Sequence, residues 1–95
     1  MKHNIIIKFI DNYDYQNELD NIKKLFNKAL SVPGVLDIKF HPAMIKGAPN
    51  RHDLWIELIV NKLGLRNWKE CEIHKQWKKQ YTKYIANKVI FDCLD

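Results

Sequence analysis

The sequence predicts an α+β domain with the chain order β-α-β-β-α-β. Four short segments are rich in β-branched and aromatic side chains, and two longer segments carry apolar side chains at helical spacing. A split β-α-β unit in this order folds as a four-stranded antiparallel sheet with two helices on one face. The 95 residues are enough for one hydrophobic core. We therefore expect residues 1–95 to form a single domain.

The first half of the chain contains a strand, a helix and a second strand. Residues 3–10 are dense in β-branched side chains, which is typical of a strand covered on both faces. Residues 15–30 carry a one-sided apolar stripe, with acidic residues early and lysines late, as the helix dipole favours. Proline and glycine at 33–34 end that helix. Residues 35–43 alternate as a half-buried strand, with one face formed by Leu36, Ile38 and Phe40.

The second half contains a strand, a helical segment and a last strand. Residues 52–60 are apolar at nearly every position except Glu57. Residues 65–86 are predicted to be helical, with a break near 72–74 that would divide a short piece from a long one. Residues 88–93 form the last strand, with Val, Ile and Phe at its centre.

A run of bulky or reactive side chains marks the second helical segment. Trp68, Cys71, His74 and Trp77 recur every three residues and can share one inward face of a helix. Such a stripe forms core, a pocket wall or a partner surface. We expect the strands to lie against it.

The predicted sheet has apolar side chains on both faces. Ile6, Trp55 and Ile59 alternate away from the neighbours that would face the helices. An uncovered apolar sheet face would be a large exposed patch. We therefore expect a homodimer that pairs face to face, which gives a barrel of two sheets with the helices outside.

Composition and charge limit the classes of function. The net charge is +5, with many lysines in the final third. We interpret these lysines as a solvated helix face and do not expect nucleic-acid binding, since no recognition helix or stacking sheet accompanies them.

No apolar run is long enough to span a membrane, and no secretory signal is found, so a cytoplasmic location is expected. Cys71 and Cys93 are expected to be free thiols. No metal-ligand spacing, nucleophile motif, phosphate loop or dinucleotide fingerprint occurs, and no metal or cofactor is expected.

Short motifs occur in a fixed order over nearly the whole chain: Lys2-His3 before Ile5-Ile6-Ile7, Val32-Pro33-Gly34-Val35, His52-Asp53-Leu54, His74, Tyr84-Ile85-Ala86 and Val89-Ile90-Phe91-Asp92. In this order the chain resembles the stress-responsive A/B barrel (Dabb) family of the dimeric α/β-barrel superfamily. The resemblance implies a ferredoxin-like subunit that pairs face to face as a dimeric α/β barrel.

The resemblance also implies a site. A distant relative, the plant olivetolic acid cyclase, carries Tyr-x-x-His-x-x-His on its second helix, and the matching positions here are Trp68, Cys71 and His74. His74 stands at the position of the catalytic acid/base, and Asp92 on the neighbouring strand would orient it. The tyrosine is absent, so half of the cyclase dyad is lost. Ile5, Ile7, Ile22 and Leu25 match pocket-lining positions of the cyclase, and Trp68 and Cys71 are further expected ligand-binding positions. His3, at the mouth of the first strand, is a candidate second polar group of the pocket.

Each of these residues has a structural alternative. His74 could be held by backbone or by Asp92 and do no chemistry, His3 could be solvated at the chain terminus, and the apolar positions would serve equally as core. Three functions therefore stay open: a homodimer that binds a small apolar or aromatic molecule between sheet and helices, a cofactor-free cyclase- or lyase-like enzyme that uses His74 as general acid/base, and a structural dimer whose cavity is filled by its own side chains.

Overall fold

A computed structural model describes residues 1–94 of the chain. The elements follow the predicted order, with the second helical segment divided in two. They are β1 (Lys2–Phe9), α1 (Tyr15–Asn27), β2 (Val35–Pro42), β3 (Leu54–Val60), α2 (Lys62–Glu70), α3 (Glu72–Tyr81) and β4 (Ile85–Cys93). Short 3₁₀ turns follow α1 and α3. Within residues 1–94, none of the helices has the length and apolar character that a bilayer span requires.

The four strands form one antiparallel sheet in the order β2-β3-β1-β4. The predicted fold class is confirmed: the subunit is a ferredoxin-like α+β domain. β1 is central, and its Ile5 lies opposite Ile56 of β3 and Ile90 of β4. Because side chains alternate along a strand, every second residue of β1 points toward the helices and the others point to the opposite face.

The hydrophobic core lies between the sheet and the helices. Phe26 of α1 packs against both tryptophans of the second helical segment, with ring centroids 5.3 Å from Trp68 and 4.9 Å from Trp77. All three rings are buried. The sheet contributes its buried aliphatic face to the same cluster, from residues Ile5, Ile7, Leu54, Ile56, Leu58 and Val60.

The second helical segment breaks at Cys71, whose ψ of 159° is extended. The predicted break is therefore confirmed, one residue before the expected window. The consequence is that Trp68 and Trp77 do not belong to one continuous helix face. Both are buried, whereas Cys71 and His74 at the junction are only partly buried. The predicted single inward stripe is wrong, because the backbone changes direction in the middle of it.

The start of β2 differs from the prediction. Its pairing with β3 shifts register between Val35 and Asp37, as at a β-bulge. Val35 is buried, and Leu36, which was expected on the inner face, is 62% exposed. The extra residue at the bulge explains why simple alternation fails there.

The second face of the sheet, away from the helices, is here called the open sheet face. Its apolar side chains are Ile6, Trp55, Ile59, Val89 and Phe91, as the strand registers require. Phe91 is 58% exposed and Trp55 37% exposed. The predicted alternation of Ile6, Trp55 and Ile59 is confirmed, and the face is apolar at its centre.

A charged residue lies buried on the same face. The carboxylate of Glu57 is 3.2 Å from the Lys2 ammonium and 3.2 Å from Nε2 of His41, and the His41 ring stacks on Trp55. Burial alone would raise the pKa of Glu57, but the hydrogen bonds from His41 and Lys2 outweigh it and hold this pKa below its ordinary value. The open sheet face therefore carries an ionised, internally paired carboxylate among its apolar side chains.

Two glycines let the turn before β2 touch the start of α2. Gly34 has a φ of +93°, and its carbonyl accepts a hydrogen bond from the Asn61 backbone N–H at 3.1 Å. The Asn61 side chain in turn caps α2 by accepting from the Gly64 N–H at 2.8 Å. A methyl group on Gly64 would overlap the carbonyl oxygen of Gly34. The sheet edge and α2 are thus held together backbone to backbone.

We predict that Gly64→Ala destabilises the fold by about 1–3 kcal/mol, because the new methyl group overpacks this contact. Helix propensity alone would predict the opposite, a gain of about 1 kcal/mol. The free energy of unfolding from denaturant titration decides between them. Gln76→Ala, at an exposed position of α3, is the control and should change stability by less than about 0.5 kcal/mol. A stabilised Gly64→Ala protein would contradict the contact.

Candidate functional site

A solvent-facing cleft of about 350 Å³ lies between the α2–α3 junction and the β1–β4 strand pair. Its volume falls within the range of small-molecule sites, roughly 300–1,000 Å³. It is here called the His74 cleft, and it is lined by His3, Trp68, Lys69, His74, Lys78, Lys88 and Ile90. It is therefore built by a strand pair on one side and by the broken helical segment on the other.

His3 enters the cleft from β1. The register of β1 and β4 places His3 directly opposite Asp92, and Nδ1 of His3 lies 2.5 Å from Oδ1 of Asp92. His3 is buried, while the Asp92 side chain is 41% exposed. The predicted pairing of Asp92 with His74 is not found, because the strand register gives this carboxylate to His3. A carboxylate on Nδ1 fixes the ring and directs Nε2 away from it.

His74 enters from the first turn of α3. Its Nδ1 lies 3.1 Å from the backbone carbonyl of Lys69. The last carbonyls of a helix lack partners within that helix, and α2 ends at Glu70. His74 therefore caps the end of α2. Donation from Nδ1–H leaves Nε2 unprotonated, so that it can accept a proton.

The pKa of His74 lies below its ordinary value of 6.5. Burial is the largest cause, since it disfavours the charged imidazolium. The Lys69 carbonyl acts in the opposite direction, while the positive charges of Lys78 and Lys88, and His3 beside it, lower the pKa further. The imidazole is therefore neutral at pH 7.

Trp68 forms the floor of the cleft, with its ring centroid 5.0 Å from that of His74. The side chain is fully buried, and its Nε1–H has no hydrogen-bond acceptor among residues 1–94. A buried donor without a partner costs about 1–3 kcal/mol. Native proteins rarely leave such a group unpaired.

The structure brings three of the predicted site residues together: His3, Trp68 and His74. The four apolar positions expected to contact a ligand instead fill the core between sheet and helices, as Ile5, Ile7, Ile22 and Leu25. Cys71 lies at the helix break, where its thiol donates to the Trp68 carbonyl at 3.2 Å. Both cysteines are free, as predicted.

Four lining residues were missed from the sequence: Lys69, Lys78, Lys88 and Ile90. Three of them occupy positions that the sequence periodicity could have indicated. Lys78 follows His74 by one helical turn, and Lys88 and Ile90 alternate toward the helices along β4. The position of Lys69 could not be predicted, because it depends on the break at Cys71. Among residues 1–94, no three His, Cys, Asp or Glu side chains are grouped so as to hold a metal ion.

The sequence matches no protein-family model and has no significant match among curated proteins. Solved structures do match. A dimeric ferredoxin-like protein of unknown function from Jannaschia is 11% identical, with a TM-score of 0.77 over 99% of this chain and 97% of that one. A Dabb family protein with a ferredoxin-like fold from Mesorhizobium loti is 6% identical, with a TM-score of 0.72 over 99% and 94%. A hydroxynitrile lyase from Passiflora edulis is 10% identical, with a TM-score of 0.73 over 95% and 87%.

These similarities extend over nearly the whole chain. The resemblance to Dabb proteins is therefore confirmed at the level of the fold. At identities of 6–11% a shared fold carries no residue role from one protein to the other.

We predict that the pKa of the His74 imidazole, measured by NMR titration, lies below 6.5, the ordinary value for histidine. Lys88→Gln should raise it, because a nearby positive charge is removed. The control is Lys28→Gln, an exposed lysine in the turn after α1, which packs beside β2 at the far edge of the sheet. A His74 that titrates above 6.5, or that responds equally to both substitutions, would contradict the electrostatics described.

Proposed function

We propose that the protein is a homodimeric barrel that binds a small apolar or aromatic molecule in the His74 cleft. The observation that carries this proposal is the buried, unpaired Nε1–H of Trp68, a residue that lines the cleft. A ligand oxygen that reached this enclosed atom would satisfy the donor and remove the cost of leaving it unpaired. The site would thus be completed by its ligand.

The remaining wall suits a planar or aliphatic body. The side chain of Ile90 supplies apolar surface and is 47% exposed without a ligand, while the indole of Trp68 is fully buried. Two imidazoles, His3 and His74, add polar atoms at fixed positions. The lining is therefore mixed, with apolar surface beside imidazole and lysine side chains, and it suits a ligand that has both an apolar body and polar groups.

Binding can be tested by an NMR screen of aromatic and aliphatic fragments. Fragments that bind should shift the Trp68 indole N–H signal, and His3→Ala or His74→Ala should weaken them by about tenfold through loss of a hydrogen bond of ~1.4 kcal/mol. His52→Ala is the matched control, since His52 contacts Asn87 outside the cleft. The Trp55 indole, which already donates to Asn4 at 2.7 Å, is an internal reference. Fragments that leave the Trp68 signal unmoved at millimolar concentration would contradict the proposal.

The same residues favour a second function, cofactor-free acid/base catalysis of a cyclase- or lyase-like reaction. The specific observation is that one cleft holds a neutral imidazole with a free Nε2 and a second imidazole supported by a carboxylate. His74 Nε2 would take a proton from an activated carbon, and His3, held by Asp92, would donate to the developing oxyanion. Trp68 Nε1–H would be a further donor to that oxygen.

Turnover of polyketide-like thioesters or hydroxynitriles, measured on the variants above, separates the two functions. A catalytic base acts in its neutral form, so activity should fall as pH drops through the lowered pKa of His74. Full turnover in His74→Ala would remove His74 from the mechanism. Binding without any turnover would leave the first function alone.

The homodimer part of the proposal is supported by the open sheet face. This face exposes Trp55 of β3 and Val89 and Phe91 of β4, with Ile6 of β1 between Trp55 and Val89, and an apolar patch of that kind on a small domain is typical of a protein interface. The protein from Jannaschia with the same fold is dimeric. Pairing two copies through this face would cover the apolar centre, and the internally paired Glu57 would not introduce an uncompensated charge.

We expect sedimentation velocity at micromolar concentration to show a dimer. Phe91→Lys should raise the dimer dissociation constant at least about tenfold, because it places a charge in the apolar centre of the contact. Leu30→Lys is the matched control. Leu30 is 46% exposed but lies in the turn after α1, off the sheet. A monomeric wild type, or equal effects of the two variants, would contradict pairing through this face.

A further inference from the structure

We propose that the molecule bound in the His74 cleft carries a carboxylate or a similar anionic group. This inference rests on the proposed function, namely that the cleft binds a small molecule, and adds the chemical class of that molecule. Three features support it: the positive charge of the rim, the unpaired Nε1–H of Trp68, and the effect that the rim lysines have on His74.

The rim of the cleft is positively charged. Lys69 comes from α2, Lys78 from α3 and Lys88 from β4, so three separate elements place a lysine at one opening. No acidic residue is found among the lining side chains that residues 1–94 supply. Asp92, the carboxylate beside the site, is already paired with His3. The cleft thus carries positive charge that its own residues do not balance.

The rim lysines are among the ten of the 14 lysines that have no carboxylate partner within residues 1–94. Lys2, Lys8, Lys46 and Lys75 each lie within 4 Å of a carboxylate oxygen. Within the described part of the chain, the three rim lysines make no such ion pair. A ligand carboxylate would supply the missing partner.

The unpaired donor in the wall favours the same chemistry. Trp68 Nε1–H can donate but cannot accept, so it requires an acceptor atom in the ligand. A carboxylate oxygen is a stronger acceptor than a neutral carbonyl, since charge-assisted hydrogen bonds are roughly twice as strong as neutral ones. The Lys78 and Lys88 charges are felt at His74, whose pKa they lower. These positive charges disfavour protonation of His74, and they would attract a ligand anion placed beside it.

This inference assigns a function to part of the positive charge in the final third of the chain. The sequence alone indicates a solvated helix face for these lysines. The structure gathers three of them around one concave site of about 350 Å³. This shape favours a small anionic molecule over a nucleic acid, which would require an extended basic surface.

The test uses matched pairs of acid and primary amide, naphthoate with naphthamide and hexanoate with hexanamide. They are titrated into ¹⁵N-labelled full-length protein at low salt while the Trp68 indole N–H signal is followed. The acid should bind about fivefold more tightly than its amide, because an ion pair with a rim lysine adds about 1 kcal/mol. Added salt should reduce that ratio. Lys78→Gln and Lys88→Gln should reduce it toward one, whereas Lys75→Gln, on the same helix but outside the cleft, should not.

Equal affinity for acid and amide at the Trp68 signal would overturn the anionic class and leave small-molecule binding intact. If neither member of any pair moved that signal, the proposed function would fail and this inference with it. Acid-induced shifts confined to residues outside the cleft, or binding of an oligonucleotide in place of the acids with a steep salt dependence, would also overturn it.

Discussion

The packing of Trp68 and Trp77 on Phe26 is the interaction on which the rest of the site depends. Helices of 9 and 10 residues, the lengths of α2 and α3, are too short to be stable by themselves in water. The aromatic cluster supplies the tertiary packing that holds both on the sheet. With both tryptophans buried, the chain between them must turn, and the break at Cys71 makes that turn. The break frees the Lys69 carbonyl, which then holds His74.

The alternation of side chains along β1 connects the cleft to the open sheet face. His3 points to the helix side, where it meets Asp92, and its neighbour Asn4 points to the opposite side, where it accepts from the Trp55 indole. Asn4 also donates to the backbone carbonyl of Phe91 on β4. The strand pair that builds one wall of the cleft therefore also carries the apolar surface proposed for dimerisation.

The fold was predictable from the sequence because its signals are local. Apolar spacing in 15–30 and alternation in the strands gave the element order, and the ferredoxin-like sheet followed from it. The site was only partly predictable. His3, Trp68 and His74 were named in advance, but the partner of Asp92 depends on strand register, which no residue pattern here determines. The lysine rim combines residues from α2, α3 and β4, and the exposure of Leu36 depends on a bulge. Both features arise from tertiary structure, and no periodic pattern of residues in the sequence predicts them.

The central claim is that the His74 cleft is a ligand site completed by an acceptor for Trp68. A crystal structure of the protein soaked with an aromatic acid tests it most directly. Electron density is expected in the cleft, with a ligand oxygen about 3 Å from Trp68 Nε1 and the ring system against Ile90. Density elsewhere on the protein, with Trp68 Nε1–H donating to a protein group and His74 closing the cleft, would contradict it. The protein would then be a structural dimer with a filled core.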